Sequence, residues 1–323
     1  MEEGQSMWGG AWRELCRRRL IRVCLGIIAA FLLVAFYGEA VYRYYRVVDR
    51  TPSYQQVNLG ERYLPPSLLR QPFAVARQEA ALAGSTHWVW LGFKKLAYRP
   101  WGTDNLGRDV LQRTVQGTRI AFLVGVVTSL IAIPIGVILG CVSGYFGRWV
   151  DEIIVWLYST MESIPGLLFI LAISMVVGKG LLGVYMGIGL TTWVGLCRLL
   201  RAEVMKHRDR AYVMAARSLG YSDWRIIFRH ILPNVFHIVI ITFSIRFPAA
   251  IGTEVFMSFL GIGVQGEPSW GIMMGNARLR LWQGMWWEMT AVTAAILVVV
   301  LAFNLVGDAL RDALDPRLRA RES

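Results

Sequence analysis

Glu162, Arg246 and Glu254 are ionisable residues set inside long apolar stretches. A charge at hydrocarbon depth is costly unless it faces a protein interior or a watery passage. The chemistry such residues offer is the binding or gating of a polar solute, not bond-making. Glu162 stands beside the Ser163–Pro165 interruption and close to the cytoplasmic interface, where an ion pair or a helix-end cap is favoured over a gate. Arg246 and Glu254 lie near Pro248 and Gly252, and on a straight helix their spacing offsets them by about 80° and about 12 Å. A direct pair therefore needs a kink at Pro248 and Gly252. Without one, each must find another partner or water. The preferred reading has Glu254 lining a path and Arg246 neutralised elsewhere.

Groups that could do covalent chemistry are sparse. There is no G-x-x-x-x-G-K-[ST] phosphate loop, and GTDNLGRDV (Gly102–Val110) lacks the preceding strand and the lysine that a nucleotide site needs. Its Asp104 is read as capping the helix that follows. Cys16, Cys24, Cys141 and Cys197 have no metal-ligand spacing and fall in or near apolar runs, which argues against a disulfide framework. His87, His207, His230 and His237 are scattered. No cofactor or metal is expected on this chain.

The other polar concentration is Arg201–Asn234, RAEVMKHRDRAYVMAARSLGYSDWRIIFRHILPN. Gly220 suits the left-handed residue that closes a helix. Ser222 follows as a side-chain N-cap, with Tyr221 and Ile226 as a hydrophobic staple. Trp224, Ile227, Phe228 and Ile231 then recur at helical spacing while Asp223, Arg225 and Arg229 stay polar, and Pro233 is read as the stop. The unit is a helix–turn–helix with one stripe to bury and one face to offer. It imitates a DNA reader, but apolar runs close on both sides exclude docking in a groove, so no nucleic-acid partner is expected.

Those runs are the elements that must position the polar residues. The chain is 55% hydrophobic, and a helix needs about 20 apolar residues to cross a bilayer. Six runs qualify: Leu20–Tyr37, Ile120–Phe146, Ile153–Val177, Leu181–Leu199, Val235–Ile262 and Met289–Val306. Gly136, Gly140, Gly144 and Gly147 recur at the spacing that favours close helix packing. Arg13, Arg17, Arg18, Arg19 and Arg22, the basic loop between the fourth and fifth runs, and the basic tail place both termini in the cytoplasm. The net charge of +12 thus reports orientation. Gly38-Glu39-Ala40 could pass for a signal-peptidase site, but the long first run and its aromatic flank favour an uncleaved anchor.

The basic loop resembles the cytoplasmic EAA loop of ABC-importer permeases: Glu-Ala-Ala, three residues, Gly, then Ile-x-Leu-Pro. Ala215, Ala216, Gly220, Leu232 and Pro233 fall on that spacing, with Met214 in place of the Glu and His230 in place of the Ile. GTDNLGRDV, GYFGRWVDE (Gly144–Glu152), SFLGIGV (Ser258–Val264), PSWG (Pro268–Gly271) and NLVGDALRDALDPR (Asn304–Arg317) are similar to the dipeptide/oligopeptide/nickel subfamily. The resemblance implies an all-α, six-span, type I ABC-importer permease of a bacterial inner membrane. It further implies an ATPase-coupling loop that includes Arg210, Ala211, Tyr212, Met214, Ala215, Ala216, Arg217, Gly220, Asp223, Leu232 and Pro233. Glu162, Arg246 and Glu254 are candidate pathway or gate residues on the separate ground that they are charges inside apolar runs. The implied partners are membrane lipid, a second homologous permease, two ATP-binding subunits that use ATP–Mg, and an extracytoplasmic solute-binding protein. The cargo would be peptides or a related small solute such as nickel.

On this reading residues 1–19 are a cytoplasmic segment, 20–37 the first span and 38–118 an extracytoplasmic loop. Residues 119–306 form a five-helix core carrying the 201–234 loop, and 307–323 a cytoplasmic tail. A stand-alone secondary transporter or channel is the alternative. It predicts inverted repeats, which the sequence does not display, and it leaves the amphipathic loop unexplained.

Overall fold

The computed structural model describes residues 18–82 and 87–314, and among these the chain is helical, with only a Thr103–Asp109 bridge of β character. Helices α1 (Arg19–Val48), α2 (Pro72–Leu82), α3 (Trp88–Ala97) and α4 (Val110–Phe146) come first. They are followed by α5 (Arg148–Glu162), α6 (Gly166–Val177), α7 (Leu181–Thr191), α8 (Val194–Arg208) and α9 (Ala211–Ser218). Then come α10 (Asp223–Phe259), α11 (Trp270–Arg278) and α12 (Trp287–Leu314). Among the described residues, five helical stretches are long and apolar enough to cross a membrane: α1, α4, α7 with α8, α10 and α12. A sixth is reached only if α5 and α6 count as one span, because the two are bent by 91° at Ser163–Pro165. The continuous third span, Ile153–Val177, is thus corrected. Pro165 removes a backbone donor and disfavours helix at Ile164 before it, so the run breaks there.

Two further boundaries move. α1 continues past Tyr37 to Val48, carried by an Arg43–Glu39 pair at 2.7 Å one turn apart, and runs unbroken through Gly38-Glu39-Ala40. α4 begins at Val110, so the segment between these two helices is 49–109. Apolar runs mark what can lie in lipid. They do not mark where a helix frays in water.

The chain divides into two compact units. One contains residues 18–28, 123–254 and 300–314 of the described chain. In it α4 lies against α8 along Gly136, Gly140 and Gly144. A β-carbon on these glycines would come within 2.9 Å of the Trp193 carbonyl, 2.7 Å of the Cys197 carbonyl and 2.6 Å of the Arg201 carbonyl, respectively. Asp151 of α5 takes two bonds from Arg201 of α8 at 2.5 and 2.6 Å and a third from Ser143 of α4, which ties the three helices together.

The other unit contains residues 29–122 and 255–299. Its organiser is the Gly102–Val110 segment. Asn58 N–H donates to the Leu106 carbonyl, Tyr63 N–H to the Asp104 carbonyl, and the Trp287 indole to the Thr103 carbonyl. Asp104 accepts from the Leu106 and Arg108 amides at 2.9 Å and pairs with the Arg108 side chain at 2.7 Å, so it holds the turn. The helix cap is Asp109, whose carboxylate accepts from Gln112 N–H at 3.0 Å; this corrects the assignment to Asp104. Arg119 is buried between Glu39 and Glu267, with its guanidinium 3.8 Å from the Tyr42 ring centroid.

Candidate functional site

The loop between α8 and α10 is a small folded unit with two unlike faces. α9 ends in a Schellman turn: Tyr221 N–H reaches the Ala216 carbonyl at 3.2 Å and Gly220 N–H the Arg217 carbonyl at 2.9 Å. Gly220 has φ +75°, the conformation that glycine adopts without strain. Inward, Val213, Ala216, Ile226, Ile227 and Ile231 are buried against Leu196, Leu200 and Val204 of α8 and Tyr145 of α4. Tyr221 packs on this cluster, with its ring stacked on His230 at 5.6 Å. The Tyr145 hydroxyl donates to Asp223 at 2.7 Å and accepts from Arg217 at 3.3 Å, a polar rivet between the loop and α4. Tyr212 bonds to His207 at 2.8 Å; burial pushes its phenol up, offset by nearby Arg210 and by Asn234.

Outward, the loop presents Met214 (53% exposed), Leu219 (72%), Trp224 (54%) and Phe228 (43%), with the Trp224 and Phe228 rings stacked at 5.9 Å. Ala211, Ala215, Arg217 and Asp223 lie on the exposed side as well, whereas Ala216 does not. Two details of the sequence reading are corrected. Ser222 makes no side-chain cap, so the extended Ser222 backbone and the glycine turn set the start of α10. Pro233 does not end the unit either, because α10 passes through it into the span. A six-residue π segment, Ile226–Ile231, precedes the proline, and Asn234 Nδ2 donates to the His230 carbonyl at 2.6 Å. The altered bonding register accommodates a residue that cannot donate. Loop and span are therefore one continuous rod.

The three intramembrane charges separate. Glu162 ends α5 at the bend and ion-pairs with Arg198 of α8, both half-exposed. Glu254 is fully buried. α10 is unbroken through Pro248 and Gly252, so Arg246 and Glu254 stay offset by about 80° around the rod and about 12 Å along it. Arg246 opens onto a 120 Å³ cavity lined by Thr128, Ser129, Ile188, Thr192, Ala249, Ala250 and Thr253, and it hydrogen-bonds to the Thr192 hydroxyl. The sequence reading missed these hydroxyls. Their signal was a Thr-Ser pair and a Thr-Thr pair inside otherwise apolar runs.

A helical chain with several stretches long and apolar enough to cross a membrane, and an amphipathic unit that presents an apolar ridge, has the build of a polytopic membrane protein. The family described as "Binding-protein-dependent transport system inner membrane component" matches residues 132–320, and the chain belongs to it. A second profile, the N-terminal transmembrane domain of oligopeptide transport permease C, matches residues 6–66. The dipeptide transport system permease protein DppC of Bacillus subtilis is 34% identical over 96% of this chain and 85% of its own length. The oligopeptide permease OppC of the same organism is 32% identical over 97% and 91%. The glutathione transport permease GsiD of Pectobacterium atrosepticum is 33% identical over 96% and 92%. A solved structure of the MetNI methionine ABC transporter in inward-facing conformations aligns with TM-score 0.48 at 15% identity, over 64% of this chain and 94% of that one. Membership makes this chain a multi-pass permease subunit of an ABC importer, working with partner ATPase and permease subunits. The family is one of non-catalytic subunits.

Proposed function

We propose that this subunit carries di- or oligopeptides across a bacterial inner membrane, with both termini in the cytoplasm and a solute-binding protein delivering cargo outside. ATP is hydrolysed by the partners and not by this chain. The observation that supports the reading is the two-faced loop: an inner face locked onto α4 and α8, an outer ridge of Met214, Leu219, Trp224 and Phe228, and a continuous rod into α10. Met214, which stands where related loops carry a glutamate, sits on that outer ridge, so docking here rests on apolar contact. Closure of the ATPases pulls the ridge, and α10 and α8 transmit the pull because the loop cannot shear against them. Named relatives transport dipeptides, oligopeptides and glutathione, which supports a peptide cargo.

The test is reconstitution of the assembled transporter with its binding protein in proteoliposomes. Labelled dipeptide uptake should require ATP and be lost when ATP hydrolysis by the partners is blocked. Uptake by this chain alone, driven by an ion gradient, would instead establish a secondary transporter.

A further inference from the structure

Arg246 is an unneutralised cation at membrane depth. Among the described residues its hydrogen bond is to the neutral Thr192 hydroxyl, its buried Nε has no hydrogen-bond partner, and no carboxylate comes within ion-pairing distance. Such a charge is costly unless something compensates it. The cavity beside it contains no acidic side chain, only hydroxyls and apolar groups. Thr128, Ser129, Thr192 and Thr253 donate to the carbonyls of Val124, Gly125, Ile188 and Ala249 at 2.7, 2.7, 2.5 and 2.9 Å. Carbonyls inside a helix already accept a backbone N–H, so a hydroxyl can swing to a new acceptor at little cost. The site thus holds one guanidinium with an unused donor and a ring of switchable O–H donors, and it lacks the complementary anion.

We propose that this cavity binds the carboxylate of the transported substrate, the C-terminal carboxylate of a peptide, during translocation. A volume of 120 Å³ is enough for a carboxylate and the carbon bearing it, so the guanidinium can hold one end of the cargo. The planar guanidinium suits a carboxylate through paired N–H donors. This inference rests on the peptide-import reading and extends it to a residue and a chemical group.

The experiment uses the whole transporter in proteoliposomes with its binding protein. The probes are a dipeptide and its C-terminal amide, chosen as a pair that the binding protein holds. Arg246→Gln should lower uptake of the free-acid peptide roughly tenfold, the scale of one charge-assisted hydrogen bond. It should leave amide uptake near its starting level, and Arg246→Lys should restore part of the acid preference. Equal losses for acid and amide, or no loss, would overturn the carboxylate site while leaving peptide import standing. Unmodified transporter that carries neither peptide would overturn both. Should Arg246→Gln fail to assemble with the second permease while Arg246→Lys assembles, the counter-ion belongs to that partner and the proposal falls. Thr192→Val removes the hydroxyl that holds the guanidinium yet keeps the cation, and should raise KM for the acid more than for the amide. A fall in kcat alone, equal for both probes, would count against the site.

Discussion

At Gly220 a β-carbon would meet nothing within 4 Å, so substitution there costs backbone strain and not collision. Left-handed geometry costs an ordinary residue about 1–2 kcal/mol, while asparagine tolerates it better. Gly220→Val should therefore weaken co-purification of the ATPases by roughly fivefold or more, with normal membrane yield, and Gly220→Asn should recover most of it. Full co-purification with Gly220→Val would remove the turn from the coupling mechanism. Ala215 and Ala216, adjacent in the motif, should part company. Ala216 is 4% exposed inside the cluster with Val213 and Ile227, so Ala216→Trp overfills that cluster and should lower the amount of folded permease. Ala215 faces outward, so Ala215→Trp should leave yield intact and block ATPase association. The opposite pattern would mean that the loop docks with its other face.

Among elements, the contact of α4 with α8 decides whether the loop has anything rigid to push against. A side chain at Gly140 would press on the Cys197 carbonyl at 2.7 Å and Leu200 at 2.9 Å, backbone and stem that cannot swing aside. Gly140→Leu should therefore abolish folded yield, read as monodisperse protein in detergent. Gly195→Ala, on α8 itself but with open space around it, should match the unmodified chain. Equal behaviour of the two would refute close packing through the glycines. This contact was legible in advance because small residues four apart share a helix face. The loop turn was legible for a similar local reason, since Gly220 and the spacing from Trp224 to Ile231 depend only on neighbours. What escaped was set by distant partners or by departures from the regular helix. The π segment before Pro233, the 91° bend after Glu162 and the extension of α1 to Val48 all depend on how carbonyls and side chains are satisfied beyond the lipid-soluble run. The hydroxyls facing Arg246 escaped because four short residues from three separate stretches converge only in space.

For the whole molecule, the distribution of arginine supports the proposed orientation, with the loop on the cytoplasmic side. The loop alone carries Arg201, Arg208, Arg210, Arg217, Arg225 and Arg229, and moving it through the bilayer would mean transferring that charge along with its ion pairs. Residues 49–109 are basic as well, but a segment of that length translocates largely regardless of its charge. Ser53 and Ser222 are both exposed, so a cysteine placed at either is open to a reagent on its own side of the membrane. Among the described residues the native Cys24, Cys141 and Cys197 are buried; Cys16 lies outside them and is replaced by serine in the labelling background. With a membrane-impermeant maleimide on intact cells, Ser53→Cys should label and Ser222→Cys should not. After permeabilisation Ser222→Cys should label to the same extent, which separates protection by the membrane from burial in the protein. Labelling of Ser222→Cys on intact cells would place the loop outside, away from any cytoplasmic ATPase, and the mechanism proposed for it could not operate.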